Sequence, residues 1–186
     1  MFVHDISRIG PFGPKSEYLN VIIEAPKGSR SKFKYDGKNG LFLFDKILPI
    51  GQIFPFDFGF LPSTEGGDGD PLDVLVITDE PTFVGCLVHA KLVGVIEAEQ
   101  TDGDETERND RLIAIPLEVK SGKPPAGATE HLQRDLIQTI GRFFVAYNQL
   151  QNKRFKPLRY AGPGRGMTVI RHAMSKFKKS RGKAAA

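Results

Sequence analysis

Cysteine is nearly absent from the 186-residue chain, with Cys86 the single one. That excludes an internal disulfide framework and a cysteine-based zinc cluster. Cys86 itself, flanked by Val84, Leu87 and Val88, reads as a small core residue. No apolar run is long enough to span a membrane, and Met1-Phe2-Val3-His4-Asp5 does not open a secretory signal. Together these absences predict a cytoplasmic protein. Histidine is sparse: His4, His89, His131 and His172 show no paired metal-ligand spacing and read as surface or satisfied side chains. There is no Gly-x-Ser-x-Gly nucleophile elbow. Gly162-Pro163-Gly164-Arg165-Gly166 lacks the Lys-Ser/Thr of a phosphate-cradling loop and reads as a connector. No internal repeat is present.

What the chain does hold is ordinary for a globular protein. Hydrophobic residues make up 40% of it, and its length suffices for one domain with its own core. The expected organisation is a single domain over residues 1–186, with an irregular arm at 1–16 and a flexible basic tail at 180–186. The net charge of +4 is modest. Much of the excess lies near the C-terminus, in Lys176, Lys178, Lys179, Arg181 and Lys183, which read as a solvated end. A basic tail can attract nucleic acid, but no stretch interleaves aromatic and basic residues as a single-strand-binding surface does.

Periodicity supplies the coarse architecture. Residues 18–25 read as a strand closed by Pro26 and Gly28. Residues 32–35 alternate, and the turn at Gly37–Gly40 leads into Leu41-Phe42-Leu43-Phe44, a hairpin pattern. Residues 53–60 are aromatic and short, with Pro55 inside. Residues 84–96 are β-branched and read as a strand, residues 102–109 as an exposed loop, and residues 112–116 again as a strand. Beyond Gly127, Leu132, Leu136, Ile140, Phe143, Phe144, Tyr147 and Leu150 recur at helical spacing. A second helix is predicted over residues 168–178. Short strands followed by helices imply an α+β domain with a barrel as its β part.

The most informative stretch is Gly66-Gly67-Asp68-Gly69-Asp70-Pro71-Leu72-Asp73, which runs directly into the apolar strand Val74-Leu75-Val76-Ile77. Asp68 and Asp70 are two apart, so in extended backbone they point to one side. Crowded carboxylates repel unless a cation lies between them, and all-oxygen donors suit a hard divalent ion. A solvated acidic turn is the plainer reading. A calcium loop is another, but counting from Asp68 the sixth position is Asp73 rather than Gly and the twelfth is Asp79 rather than Glu. The abrupt switch into a buried strand marks a site on a rigid scaffold.

Asp68-Gly69-Asp70-Pro71-Leu72-Asp73 resembles the signature of the family I soluble inorganic pyrophosphatases, and the resemblance runs from about Tyr18 to Tyr147. It implies a small, highly twisted OB-like β-barrel flanked by two main helices. It implies metal-dependent hydrolysis of pyrophosphate by a metal-activated water, with Mg²⁺ or alternatively Mn²⁺ as cofactor. By the same resemblance Asp68, Asp70 and Asp73 ligate metal, and Asp70 lies close to the nucleophilic water as general base. Glu24, Lys34, Asp36, Lys46, Arg111 and Tyr147 fall on substrate-binding positions, Tyr147 also being counted as catalytic. Asp36 replaces a more usual Glu, and Lys46 a more usual Arg.

The chain departs from the family pattern at several places. Phe54-Pro55-Phe56-Asp57-Phe58-Gly59 stands where tyrosines are usual, and Phe58 has no hydroxyl to donate. Asn109 stands where a metal-binding Asp is expected and Arg111 where a Lys binds phosphate. Asp102 or Asp104 is the candidate to replace another ligand, and Asp110 to substitute for the lost one. Asn148 stands where a Lys is common, with Lys153 or Arg154 as possible compensation. These departures sustain one rival reading, a catalytically weak phosphate- or metal-binding regulator. A second rival is a nucleic-acid-binding barrel with a basic tail, against which the three aspartates argue. The short chain resembles prokaryotic members, which implies self-association as a hexamer.

Overall fold

The computed structural model describes residues 6–13, 18–125 and 134–184. After a short 3₁₀ turn at Ile6–Arg8, the chain forms β1 (Leu19–Ala25), β2 (Ser31–Asp36), β3 (Leu41–Ile47), β4 (Asp57–Leu61), β5 (Leu72–Val76), β6 (Leu87–Asp102), β7 (Glu105–Arg108) and β8 (Arg111–Pro116). Then come α1 (Arg134–Gln149), β9 (Lys153–Ala161) and α2 (Pro163–Ala184). The expected helix start at Leu132 lies outside the described residues.

Five strands close into a ring. β1 pairs β4, β4 pairs β5, β5 pairs β8, β8 pairs β6, and β6 returns to β1. Every junction is antiparallel except β5–β8. The ring is tightest where β1 meets β4: a Cβ on Gly59 would meet the Ile22 carbonyl oxygen at 2.0 Å, so only glycine fits. β2 and β3 form a separate two-stranded hairpin.

Ring strands are covered on both faces, which is why they read as apolar runs rather than as alternation. One face packs Val21, Ile23, Val74, Val76, Leu112 and Ala114 against Ile170 and Ala173 of α2. The other packs Leu75, Ile96, Ile113 and Ile115 against Ile140, Phe144 and Tyr147 of α1. Aromatic rings lock α1 in place: Phe144 lies 5.9 Å from Phe58 and 5.6 Å from Phe155 between centroids. Truncating a fully buried ring of this kind costs about 3–5 kcal/mol. The α+β, OB-like architecture with two main helices is the expected one.

Four details differ from the pattern read along the chain. Residues 102–109 are not a loop: β6 runs on to Asp102, turns, and β7 pairs back onto it from Glu105 to Arg108. β9 was not foreseen. It pairs along β6 from Val95 to Asp102, and of its nine residues Phe155 alone is fully buried, so its sequence carries no apolar alternation. The Gly162–Gly166 stretch is the start of α2 rather than a connector: Gly162 accepts from the Arg165 and Gly166 amides at 3.1 and 3.2 Å, and Pro163 takes the first helical position, where no amide is needed. Finally, α2 continues through residues 180–184, where a flexible tail was expected.

Candidate active site

The three aspartates sit where the β4–β5 loop feeds β5. Asp73 is the second residue of that strand, and its register partner on the parallel neighbour is Arg111. Parallel pairing therefore places a carboxylate and a guanidinium side by side, at 2.6 Å between Asp73 Oδ2 and Arg111 Nη1. Asp68 Oδ1 accepts the Asp70 amide at 3.2 Å, which folds the loop back on itself. Lys34, reaching across from β2, donates to both Asp70 oxygens at 3.1 and 3.0 Å. This last pair is more than half exposed on both sides, so it is screened and readily exchanged.

Burial and the nearby Asp73 charge raise the Asp68 pKa above its ordinary value. Asp68 and Asp73 line one cavity of about 580 Å³ with Asp110, Asn109, Glu107 and the inner face of α2.

Facing the aspartates is a basic group on the hairpin. Lys32 and Lys46 are direct cross-strand partners in β2–β3. Lys32 was not singled out in the sequence, yet it is the more enclosed lysine: its Nζ lies 3.7 Å from Glu24 and 5.0 Å from the centre of the Phe58 ring. Burial alone would lower its pKa, but Tyr147, Asp73, Glu24 and Asp45 together hold it above the ordinary lysine value. Glu24 is the converse. Burial raises its pKa from 4.5 to about 7 against the pull of Lys32, with the Asp73 charge adding to the rise. Its Oε1 accepts the Tyr35 amide at 3.3 Å. Lys46 Nζ donates to Gln151 at 2.5 Å, pairs with Asp45 at 3.4 Å and lies 5.8 Å from the Tyr147 ring centre. The phenol of Tyr147 is thereby held next to both lysines by the packing of α1.

The other expected site residues divide between the cavity and the surface around it. Asp36 is the last residue of β2, half-buried, and accepts from the Lys38 amide at 2.9 Å and from Asn39 at 2.5 Å in the turn that follows. Asp102, at the tip of the β6–β7 hairpin, pairs with Lys153 at 2.8 Å and does not line the cavity. Asp110 does line it, but its Oδ1 already accepts the Ala98 amide at 2.9 Å and Arg108 at 2.7 Å. Arg111 is 3% exposed and wedged between the rings of Phe144 and Phe155, at 5.0 and 5.3 Å. Its Nη1 also donates to Asn109 Oδ1, and Asn109 Nδ2 donates onward to Gln100 at 3.1 Å. Asn148 is buried and bonds the Phe144 carbonyl within its own helix.

Among the described residues no group of three or more Asp, Glu, His or Cys side chains is gathered closely enough to cage a metal ion. The donor set nonetheless fits a hard divalent cation. Mg²⁺ keeps several waters and binds through one or two carboxylates plus substrate phosphates, so a closed protein cage is not needed. Asp68 and Asp73 present two carboxylates to one cavity, the donor chemistry that such an ion takes.

The family described as inorganic pyrophosphatase has a sequence model that matches residues 21–178. An inorganic pyrophosphatase of Synechocystis is 37% identical over 155 residues, covering 80% of this chain and 85% of that protein. Soluble inorganic pyrophosphatase 5 of Arabidopsis thaliana is 34% identical over 174 residues, covering 94% and 77%. The crystal structure of an inorganic pyrophosphatase from Neisseria gonorrhoeae matches the fold with a TM-score of 0.80 at 28% identity, over 94% of this chain and 99% of that one. The structure from Thermus thermophilus gives 0.76 at 27% identity, with coverage of 94% and 99%. Since the matched region holds the strand ring but for the first two residues of β1, together with the aspartate loop and the facing lysines, this chain belongs to the inorganic pyrophosphatases, enzymes that hydrolyse pyrophosphate to two phosphates.

Proposed function

We propose that Asp68, Asp70 and Asp73 hold the divalent cations of this hydrolysis, Mg²⁺ or Mn²⁺, while Lys32, Lys46 and Tyr147 hold the phosphates. The observation that carries this assignment is the juxtaposition of the three-aspartate loop with the paired hairpin lysines. A cation held by these carboxylates would lower the pKa of a bound water and neutralise charge on the phosphates. In the reaction a water oxygen bonds to one phosphorus and the bridging P–O bond breaks.

Lys32, its pKa held above the ordinary value, stays an ammonium throughout the physiological range and supplies fixed positive charge to the substrate. Glu24 orients that ammonium. Lys46 adds a second point charge without the bidentate fork of an arginine. Tyr147 offers its hydroxyl as donor to a phosphate oxygen. Asp70, whose carboxylate is more than half exposed, takes the proton that water gives up, once Lys34 has moved off it. We assign Arg111 to holding Asp73 rather than to binding phosphate, because its guanidinium is buried and its Nη1 is committed. Asp102 and Asp36 take no part.

The setting that suits this activity is the cytoplasm, with the chain self-associated. Self-association is supported by exposed apolar side chains, among them Leu41, Phe44, Ile47 and Ile50 on and beside the hairpin, Val145 on α1 and Leu158 on β9. No helix among the described residues is long and apolar enough to cross a membrane.

The test of the lysine assignment is steady-state pyrophosphate hydrolysis by Lys32→Met with Mg²⁺. Loss of a preorganised charge at the phosphates should lower kcat/KM by about a hundredfold or more. A variant with near-wild-type kcat/KM would contradict the assignment.

A further inference from the structure

Lys176 belongs by sequence to the basic cluster near the C-terminus, but its side chain does not behave as a solvated charge. Its Nζ donates to the Gly66 carbonyl at 2.5 Å and to the Gly67 carbonyl at 3.4 Å, and pairs with Glu65 Oε1 at 3.3 Å. One turn earlier on α2, the Ala173 carbonyl accepts the Glu65 amide at 3.1 Å. A single turn of helix thus grips residues 65–67, directly ahead of Asp68.

The opposite side of the loop is pinned as well. A Cβ on Gly67 would meet the Arg108 carbonyl oxygen at 2.2 Å, so the loop backbone lies against the end of β7. Arg108 is itself tied to Glu97, which also takes Arg165 from the first turn of α2. The glycine-rich segment is therefore clamped between α2 and β7. Such a segment has much freedom to lose. Among the described residues, the side-chain donor to its carbonyls on the α2 side is the Lys176 ammonium.

We infer that Lys176 is a positioning residue for the cation site: by holding the Gly66 and Gly67 carbonyls it fixes the direction from which Asp68 enters the cavity. The inference rests on the reading of Asp68 as a cation-holding carboxylate. It places the tail helix, which carries none of the proposed ligands, in control of metal affinity. It also has a sign that a bystander charge lacks. If Lys176 were only a positive charge near the site, removing it would leave cation binding unchanged or tighten it. If it positions the loop, removing it weakens cation binding.

The experiment compares wild type, Lys176→Met, Lys176→Arg and, as control on the exposed face of the same helix, Lys179→Met. Mn²⁺ binding to the metal-free protein is measured by calorimetry, and pyrophosphate hydrolysis is measured at saturating Mg²⁺. Positioning groups behind metal ligands typically set affinity or activity by about 10–100-fold. Lys176→Met is therefore expected to bind Mn²⁺ about tenfold more weakly, while at saturating Mg²⁺ its kcat and its KM for pyrophosphate stay close to wild type. Lys176→Arg, which keeps a donor, should recover part of the loss, and Lys179→Met should match wild type. Circular dichroism checks folding, and if Lys176→Met unfolds, Lys176→Gln takes its place with the same expected direction. A folded variant without the ammonium that binds Mn²⁺ as well as wild type, or better, overturns the inference while wild-type hydrolysis leaves the functional reading standing. Wild type that neither binds Mn²⁺ nor hydrolyses pyrophosphate overturns both.

Discussion

Glu24 carries a conflict between stability and function at the scale of one side chain. Its carboxyl is buried and its pKa is raised from 4.5 to about 7. The folded protein thus holds the proton more tightly than the unfolded chain, and the stability owed to Glu24 falls as pH rises from about 4.5 to about 7. Glu24→Gln mimics the protonated form at every pH. In metal-free protein it should match wild type below pH ~4.5 and be more stable at pH ~8, by an amount on the order of 2–3 kcal/mol. The same substitution should lower pyrophosphatase activity, because Lys32 loses its anionic partner. Thermal melts with EDTA at the two pH values check the first part; a variant less stable than wild type at the higher pH would contradict it. Lys32 also marks a limit of reading residues singly. Lys32 and Lys34 are two apart and look equivalent in an alternating strand, and the register shift beside Lys32 that sets it opposite Lys46 has no sequence signature.

Among elements, the joint at Glu97 binds the most together. Arg108 of β7 and Arg165 of α2 approach this β6 carboxylate at 3.1 and 2.8 Å, and Arg159 of β9 bonds it as well. Burial would raise the Glu97 pKa, but hydrogen bonds from Arg165 and Arg159 and their charges bring it down to about 2. A depressed carboxylate stabilises above its ordinary pKa and loses that contribution as pH falls. Glu97→Gln should therefore cost about 2 kcal/mol at pH ~7, the half-exposed arginines being screened, and the gap to wild type should close between pH ~4.5 and ~2. Urea unfolding at pH ~7 and pH ~3 measures it, and a gap that does not narrow would contradict the assignment.

The elements at this joint were also the least legible ones. β7 and β9 are charged strands that pair with the far end of β6 on its two opposite edges and bury almost nothing, so hydrophobic periodicity has no purchase on them. The start of α2 is hidden by Gly-Pro-Gly, although proline at a first helical position is permitted. By contrast β1, β5, β8 and α1 bury continuous or periodic apolar faces, and those were readable.

For the molecule as a whole, the aspartate signature and the two-helix α+β design were legible because each rests on a local pattern. The composition of the site was less so. It draws on β1, the β2–β3 hairpin, the β4–β5 loop, β5, β8 and α1, and which charges meet depends on ring closure. Parallel β5–β8 pairing sets Arg111, read from the sequence as a phosphate ligand, buried and paired with Asp73. The hairpin register brought Lys32 and Lys46 together. Asp102 was carried away to a hairpin tip.

The most direct measurement is phosphate release from pyrophosphate by wild type and Asp70→Asn, each with Mg²⁺, Mn²⁺ or EDTA. Hydrolysis by wild type that needs a divalent cation, and that falls by about a hundredfold or more in Asp70→Asn, is the expected result. Hydrolysis that persists in EDTA, or an Asp70→Asn variant as active as wild type, would contradict a cation-dependent site centred on the aspartate triplet.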